Sequence, residues 1–262
     1  MSEAVGRVLA GAATGAPPTK LDFILGHCRG RRVLDVGCVQ HTWEQSHRNP
    51  NWLHQKIREV SASCLGVDYL ADDVARLREL GYDIVAGDVL RDDPPGAFEV
   101  VVLGDLIEHL ENPLRLLEYA AAALAPGGKA LVTTPNATYL GQIVTVLARR
   151  RPAINPEHVM IFDPFTFRNL IERSPLELAE LVWLAPSWSP LWDSRFRVVR
   201  KAISPAVARL TPRVIGWRPY LSSDFAAVLQ KREEVPDTNP EARAAAAVAH
   251  HGPGCHRGRL AE

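Results

Sequence analysis

The chain has 262 residues, a formal net charge of zero at pH 7 and 47% hydrophobic residues. This size and apolar content suit one α/β domain of up to ~250 residues with a buried core. Zero net charge gives no overall attraction to nucleic acid, and no apolar run reaches the ~18 residues of a transmembrane span. The four cysteines lack Cys-x-x-Cys spacing. Free thiols in a reducing cytoplasm are therefore expected, rather than a disulfide or zinc framework.

The ends of the chain are poor in core-forming residues. Residues 1–18 are expected to form a flexible N-terminus and residues 234–262 a disordered tail, on either side of one domain over 19–233. Inside that domain, residues 185–220 form an insertion that carries Trp188, Trp192, Trp217 and several arginines. A helical cap over a substrate cleft is the first interpretation of this insertion. Peripheral contact with a membrane surface or a partner is the second, and RNA binding is disfavoured because no recognised motif is present.

Between the ends, short apolar runs alternate with helical patterns, which is typical of a doubly wound, mostly parallel sheet. In chain order the first half predicts a helix at Lys20–Cys28, a strand from Val33, a helix at Asn51–Val60, a strand at Cys64–Val67, a helix at Asp72–Leu80 and a strand at Asp83–Ala86. The second half predicts a strand at Phe98–Leu103, a helix at Pro113–Leu124, a strand opened by Gly127-Gly128, helices at Tyr139–Arg149 and Pro164–Arg173, and an antiparallel pair of final strands at Leu176–Leu184 and Asp224–Gln230.

Four of the predicted strands place an aspartate at or near their carboxyl ends. These residues are Asp35, Asp68, Asp88 and Asp105. In open parallel sheets, ligands bind outside the carboxyl ends of the strands. A helix N-cap is the alternative role for each aspartate taken singly. As a set, they predict a ligand site at this edge of the sheet.

These motifs, in this order, resemble the class I S-adenosylmethionine-dependent methyltransferases. The resemblance rests on Asp35-x-Gly37-Cys38, Asp68, Asp88, the run Asp105-Leu-Ile-Glu-His-Leu110 and the later run Leu124-Ala-Pro-Gly-Gly-Lys-Ala-Leu-Val132. It covers about residues 20 to 185 and is strongest for small-molecule enzymes of the ubiquinone-pathway O-methyltransferase type. It implies an α/β, doubly wound, mostly parallel, seven-stranded Rossmann-like sheet with an antiparallel edge strand. It also implies S-adenosylmethionine as the cofactor, S-adenosylhomocysteine as its product, and a small-molecule or glycan-like acceptor.

The resemblance assigns parts of the cofactor to particular residues. Gly37, together with Asp35 and Cys38, is expected at the amino-acid head, Asp68 at the ribose and Asp105 at the cationic half. Asp88 is expected at the adenine amine, with Val89 beside it. The family usually has three glycines after the first strand, and two are absent here, at Val39 and His41. The loop is therefore expected to bend away from the cofactor and to carry His41 or Trp43 toward the acceptor.

Methyl transfer to a hydroxyl is helped by a general base, and histidine suits neutral pH. His158, His109 and His41 are the candidates, and packing or capping is the alternative role for each. Asn136, Trp43 and Glu108 are the predicted substrate contacts. The sequence shows no metal-ligand cluster, and the His250-His251 tract in the tail is interpreted as an inert polar segment.

Other functions are less favoured. A nicotinamide-dependent dehydrogenase expects Gly-x-Gly-x-x-Gly after the first strand, and residues 37–42 lack it. A P-loop is also absent from the sequence. A non-catalytic module that binds a partner through the insertion is a further alternative, supported by the missing glycines. The sequence leaves four alternatives open. These are transfer to an amine rather than a hydroxyl, the need for a general base, the identity of the methyl acceptor and the oligomeric state.

Overall fold

The computed structural model describes residues 17–152, 154–185 and 217–233. The expectations for the flexible N-terminus up to residue 16, for most of the insertion, 186–216, and for the tail from 234 lie outside the described residues. No helix of the described ranges is long and apolar enough to cross a membrane.

The described chain alternates helices and strands from its first helix onward. In chain order these are α1 (Lys20–Cys28), β1 (Arg32–Val36), α2 (Trp43–Arg48), α3 (Leu53–Val60), β2 (Ser63–Asp68), α4 (Ala71–Glu79), β3 (Ile84–Ala86) and β4 (Phe98–Gly104), followed by α5 (Pro113–Ala123), β5 (Leu124–Pro135), α6 (Leu140–Arg149), α7 (Pro164–Ile171), β6 (Leu176–Trp183) and β7 (Asp224–Lys231). Two 3₁₀ turns, Ile107–His109 and Pro219–Leu221, follow β4 and precede β7.

The seven strands of the described residues form one sheet in the order β3-β2-β1-β4-β5-β7-β6. The first five strands are parallel to one another. Strand β7 runs antiparallel to both β5 and the edge strand β6. The expected fold class, including the antiparallel pairing at this side of the sheet, is confirmed. The strand order reverses between β1 and β4, and ligands of doubly wound sheets bind outside the carboxyl ends at such a reversal.

Helices cover the sheet on both faces, so neighbouring residues of a central strand enter different cores. Val33 of β1 packs with Phe23 and Ile57, from α1 and α3. The next residue, Leu34, belongs to the opposite core with Leu116 of α5 and residues of α7. Burial on both faces explains why these strands are continuous apolar runs in the sequence.

The sequence prediction differs from the structure at two places. The predicted loop after Gly37 contains helix α2, whose N-terminus is capped by the Thr42 hydroxyl, an acceptor from the Gln45 N–H at 3.3 Å. Strand β5 begins at Leu124 rather than after the glycine pair, because Leu124 pairs with Phe98 before a register shift. The other predicted elements are present, with ends that move by one to two residues.

Candidate functional site

The turn after β1 requires a glycine at its centre. Gly37 has φ of +72°, in the left-handed region, and its N–H donates to the Val67 carbonyl oxygen at 2.8 Å. A Cβ at this position would lie 2.9 Å from Cδ1 of Leu106, in the segment after β4. The turn is thus held between the ends of β2 and β4 with its backbone close to both.

The loop beyond Gly37, which lacks the two glycines usual in the family, is held by hydrogen bonds to side chains. The Trp52 indole N–H donates to the Cys38 carbonyl oxygen at 2.6 Å. The Gln40 N–H donates to the Ser46 hydroxyl at 2.8 Å, from α2. The Cys38 side chain is buried and faces β2, where a Cβ on Gly66 would meet its Sγ at 2.7 Å. Cys38 therefore presents its backbone, and not its thiol, to the sheet edge.

Asp68 stands at the end of β2, beside this loop. One carboxylate oxygen accepts from the Val39 N–H at 2.8 Å and the other from the Leu70 N–H at 3.1 Å. The side chain is buried, and burial raises its pKa above the ordinary value although these backbone donors act in the opposite direction. Asp68 therefore fixes the loop, and the lone pairs that these two bonds leave free are available to a further donor.

Asp88 follows the neighbouring strand, because Asp68 pairs with Ala86 of β3. Its carboxylate accepts from the Leu90 N–H at 2.9 Å, and its side chain is 38% exposed. Tyr69, the residue after Asp68, is 74% exposed. Val89 is buried in the core, so only its backbone faces this edge. Asp68, Tyr69 and Asp88 form what we call the open edge, in which Tyr69 is exposed, Asp88 is partly exposed and Asp68 is buried.

Asp35 does not face this edge. Its Oδ2 lies 3.0 Å from Nδ1 of His54 on α3, and both side chains are buried. The Cys64 thiol lies 3.7 Å from the same nitrogen. The expectation that Asp35 contacts the cofactor head is therefore not supported, because its carboxylate is paired beneath the sheet. His54 was not singled out in the sequence, where nothing marks it as the partner of Asp35.

Asp105 follows β4 in the left-handed region, with φ of +49°. It accepts a hydrogen bond from Lys20 of α1, and Thr133 of β5 donates to its Oδ1 at 2.9 Å. Lys20 also lies 3.5 Å from Asp224 of β7. The charge of Asp105 is thus balanced within the protein, which argues against its predicted role at a cationic ligand. The sequence did not predict Lys20 as the partner of Asp105, because Lys20 belongs to no recognised motif.

Burial by itself would lower the pKa of Lys20. The charges of Asp105 and Asp224, with the hydrogen bond to Asp105, outweigh burial and raise that pKa above its ordinary value of 10.5. Lys20 is therefore positively charged, and its ion pairs join α1 to the carboxyl end of β4 and to the amino end of β7.

A second set of polar residues begins two residues after Leu106 in the chain. Glu108 and His109 are in the 3₁₀ turn after β4, and His158 is in the loop before α7. One ligand atom of each residue lies within 4.8 Å of those of the other two. The His109 and His158 rings meet edge to face, with centroids 4.6 Å apart. The structure thus brings together three of the predicted site residues, which we call the Glu-His-His cluster.

The loop with His158 is attached to this turn through its backbone. The N–H groups of Val159 and Met160 donate to the Glu108 carbonyl oxygen at 3.0 and 3.1 Å. The Glu108 side chain is 1% exposed, and its Oε2 accepts from the Thr134 hydroxyl at 3.0 Å. Burial, with the nearby charge of Asp105, raises the Glu108 pKa to about 8. Burial, together with His109, lowers the pKa of His158.

The remaining predicted residues lie around this cluster or away from it. His41, with φ of +54°, extends toward the His158 loop, where its Nδ1 is 3.7 Å from Oε1 of Glu157. Trp43 packs instead against the core cluster of α4, with Val74 and Leu77. This position does not support its predicted contact with the acceptor.

Asn136 has a structural environment at the end of β5. Its amide N–H groups donate to the carbonyl oxygens of Tyr220 and Ser222, each at 2.8 Å. Its own Oδ1 accepts from the backbone and the hydroxyl of Thr138. Since the donors and the acceptor all have partners within the protein, the predicted contact of Asn136 with substrate is not supported.

A separate depression of about 350 Å³ lies at the amino-terminal edge of the sheet, lined by residues that include Arg31, Glu99 and Lys129. Arg31 and Glu99 pair there at 2.8 Å. Because it opens at the edge opposite Asp68 and Glu108, it is not the site that the strand ends build.

Comparison with known proteins is consistent with this architecture. A model of a family described as "Methyltransferase domain" matches residues 11–181. The ubiquinone biosynthesis O-methyltransferase of Idiomarina loihiensis is 28% identical over 176 residues, which cover 61% of this chain and 68% of that protein. Its counterpart from Burkholderia thailandensis is 24% identical over 179 residues, covering 63% and 73%.

Solved structures show the same fold. A SAM-dependent methyltransferase from Archaeoglobus fulgidus aligns with a TM-score of 0.52 at 19% identity, covering 81% of this chain and 91% of that one. The magnesium protoporphyrin IX methyltransferase of Synechocystis, solved with bound SAH, gives a TM-score of 0.51 at 10% identity, covering 88% and 89%. Since the family match spans more than half of the chain, this protein belongs to the methyltransferase-domain family, which confirms the resemblance to class I S-adenosylmethionine-dependent methyltransferases.

Proposed function

We propose that this methyltransferase transfers the methyl group of S-adenosylmethionine to a hydroxyl of a small-molecule or glycan-like acceptor. The observation that carries the proposal is the contact between the two halves of the site. Gly37 of the first turn abuts Leu106, and the Glu-His-His cluster begins two residues later at Glu108. A donor against the turn and an acceptor at the cluster would therefore be neighbours.

The open edge fits the nucleoside part of the donor. Asp68 and Asp88 end adjacent strands, and a carboxylate suits the neighbouring hydroxyls of a ribose or the amine of an adenine. The exposed ring of Tyr69 offers an aromatic face for stacking beside them. Gly37 leaves room that any Cβ would fill. We propose Asp68 for the ribose, Asp88 for the adenine amine and Tyr69 for the adenine face.

When bound, S-adenosylmethionine supplies a methyl group on a positively charged sulfur. Transfer is a displacement in line, so the protein contributes mainly by alignment of the acceptor oxygen and by exclusion of water. The half-buried imidazoles of His109 and His158, next to buried Glu108, form a polar surface at which a hydroxyl would be held. The relatives named as O-methyltransferases support oxygen over nitrogen as the acceptor atom.

The proposal is tested by product formation from labelled S-adenosylmethionine with matched acceptors. Phenols, vicinal diphenols and sugar hydroxyls are compared with the corresponding amines, and the site of the label is read by mass spectrometry. We expect label on oxygen and formation of S-adenosylhomocysteine in equal amount. Label only on nitrogen, with S-adenosylhomocysteine formed, would contradict the acceptor class.

A further inference from the structure

We infer that Trp52 is a positioning residue for the cofactor, and that it acts through the peptide between Cys38 and Val39 on the carboxylate of Asp68. Trp52 lies directly before helix α3 and is not part of the open edge. The inference rests on the proposed contact of Asp68 with the ribose. It does not depend on the identity of the methyl acceptor.

One peptide group connects Trp52 to Asp68. The Trp52 indole N–H donates to the Cys38 carbonyl oxygen at 2.6 Å, and the Val39 N–H donates to Oδ2 of Asp68 at 2.8 Å. The carbonyl of residue 38 and the N–H of residue 39 belong to the same planar trans peptide, in which they point in opposite directions. A rotation of this peptide would therefore break both hydrogen bonds together.

The indole donor is fixed by its surroundings. Trp52 is 1% exposed, and its ring packs against the rings of His54 and Tyr82 at centroid distances of 5.2 and 4.9 Å. His54 in turn lies 3.0 Å from Asp35 of β1, so this group of rings is joined to the strand that precedes the Gly37 turn. Packing outside the loop, and not the loop itself, therefore sets the direction of the indole N–H.

The Cys38 carbonyl oxygen needs this donor. Cys38 is 4% exposed, and a buried carbonyl without a hydrogen bond is costly. Without the indole N–H, the carbonyl would turn toward water or another donor, and the Val39 N–H would turn away from Asp68 with it. The usual family glycines are absent at Val39 and His41. We therefore assign to Trp52 the restraint that fixes this peptide in a loop of unusual sequence.

The effect on the cofactor follows from the way Asp68 is held. Its second oxygen accepts from the Leu70 N–H at 3.1 Å, so the carboxylate is fixed by one backbone donor on each oxygen. A carboxylate that is already oriented binds neighbouring hydroxyls with a smaller loss of freedom. Because the ribose is not the reacting group, Trp52 should affect affinity for the methylated cofactor and for S-adenosylhomocysteine alike.

The test is a double-mutant cycle on S-adenosylhomocysteine binding, measured calorimetrically with the full chain. Trp52→Phe keeps a buried aromatic ring and removes the indole donor, whereas Asp68→Ala removes the carboxylate. Trp183→Phe is the matched control, since it makes the same change at a buried tryptophan that packs against Tyr220 and Phe225. Urea unfolding of each variant measures the effect on stability separately from the effect on binding.

We expect Trp52→Phe to weaken binding ~3–10-fold in the wild-type background, which is the range for loss of one hydrogen bond. In the Asp68→Ala background the same change should cost less than ~2-fold, because the peptide then no longer acts on a ribose contact. Trp183→Phe should leave the affinity unchanged in both backgrounds. An unchanged affinity in Trp52→Phe, or an equal loss in both backgrounds, would overturn the inference.

Hydrogen exchange in the unaltered protein, followed by NMR, keeps the inference testable if a variant does not fold. Saturation with S-adenosylhomocysteine should slow exchange at the Trp52 indole N–H and at the Val39 amide, and leave the Trp183 indole unaffected. Unchanged exchange at Trp52 and Val39 would overturn the inference. Absence of binding to the wild type would overturn it together with the proposed cofactor site, whereas wild-type binding with an additive cycle would overturn the role of Trp52 alone.

Discussion

Replacement of Lys20 by methionine should destabilise the fold, because it leaves two carboxylates without their shared cation. Lys20 bonds Asp105 and lies 3.5 Å from Asp224. Its side chain is 27% exposed, against 38% for Asp105 and 8% for Asp224. Methionine fills a similar volume, so the main change is the loss of the positive charge.

The expected cost follows from this partial burial. Removal of one partner from a fully buried pair costs ~3–5 kcal/mol. Solvent reaches Lys20 and Asp105, and exposed pairs contribute only ~0–1 kcal/mol. Thr133 and Ser223 also remain as donors to the two carboxylates. We therefore expect a loss of ~2–3 kcal/mol, which is a fall of ~4–12 °C in Tm for a domain of this size.

Thermal and urea unfolding of the full chain measure this loss. Lys56→Met is the matched control, since Lys56 pairs with Glu59 on the helix surface, and its Tm should change by less than ~4 °C. The double variant Lys20→Met/Asp224→Asn should regain stability relative to Lys20→Met, because it removes the carboxylate with the more deeply buried side chain of the two. A Tm of Lys20→Met equal to that of the wild type would refute the reasoning.

The pH dependence has a definite sign. A lysine whose pKa is raised in the folded state stabilises the fold fully below the unfolded value and loses that effect as pH rises through the folded value. For Lys20 the loss should therefore begin only above its ordinary pKa of 10.5. The difference in stability between wild type and Lys20→Met should be constant from pH 6 to 7, below the pKa of about 8 of the Glu108 carboxyl, on which the Lys20 charge also acts.

Three further outcomes are expected. Gly37→Ala should weaken S-adenosylhomocysteine binding and lower the free energy of unfolding by ~1–3 kcal/mol, since the φ of +72° at this residue and the contact with Leu106 oppose a Cβ. Calorimetry measures the binding and urea unfolding the stability, and a variant unchanged in both would contradict the close approach of Gly37 to Leu106. Asp68→Ala should weaken S-adenosylhomocysteine binding by ~1.5–3 kcal/mol. It should also lower the stability of the fold, because the Val39 N–H loses its acceptor. Unaltered affinity would exclude the ribose assignment. The thiols at 28, 38 and 64 are buried, and burial raises their pKa, so a Cys255→Ser chain should react with a disulfide reagent only after unfolding.

Local patterns in the sequence were enough to predict most of the fold. Strands buried on both faces leave continuous apolar runs, and helix α5 starts at a proline after the capping residue Asn112. Helix α2 was not predicted, because its six residues, Trp43–Arg48, have no apolar periodicity. It is held in part by a tertiary hydrogen bond, in which the Trp43 N–H donates to Oδ1 of Asp73 at 2.7 Å, and no local pattern contains this contact.

The candidate site was predictable in position but not in its pairings. The strand-end motifs correctly placed Asp68, Asp88 and Glu108 at one edge of the sheet. The sequence alone could not show that Asp35 pairs with His54 or that Lys20 neutralises Asp105, because these partners lie far along the chain and carry no motif. The Glu-His-His cluster depends in the same way on a loop that returns to the β4 turn.

The most direct test of the central claim is calorimetric binding of S-adenosylhomocysteine to the full chain and to Asp88→Ala. Asp88 is the more exposed carboxylate of the proposed nucleoside site, but it accepts from the Leu90 N–H and lies 3.4 Å from Arg91, so urea unfolding of Asp88→Ala is measured beside binding. Asp72→Ala, an exposed acid on α4, is the control. The account predicts binding to wild type and Asp72→Ala, and an affinity lower by ~1.5–3 kcal/mol in Asp88→Ala. Absence of binding to the wild type, or equal binding by all three proteins, would contradict it.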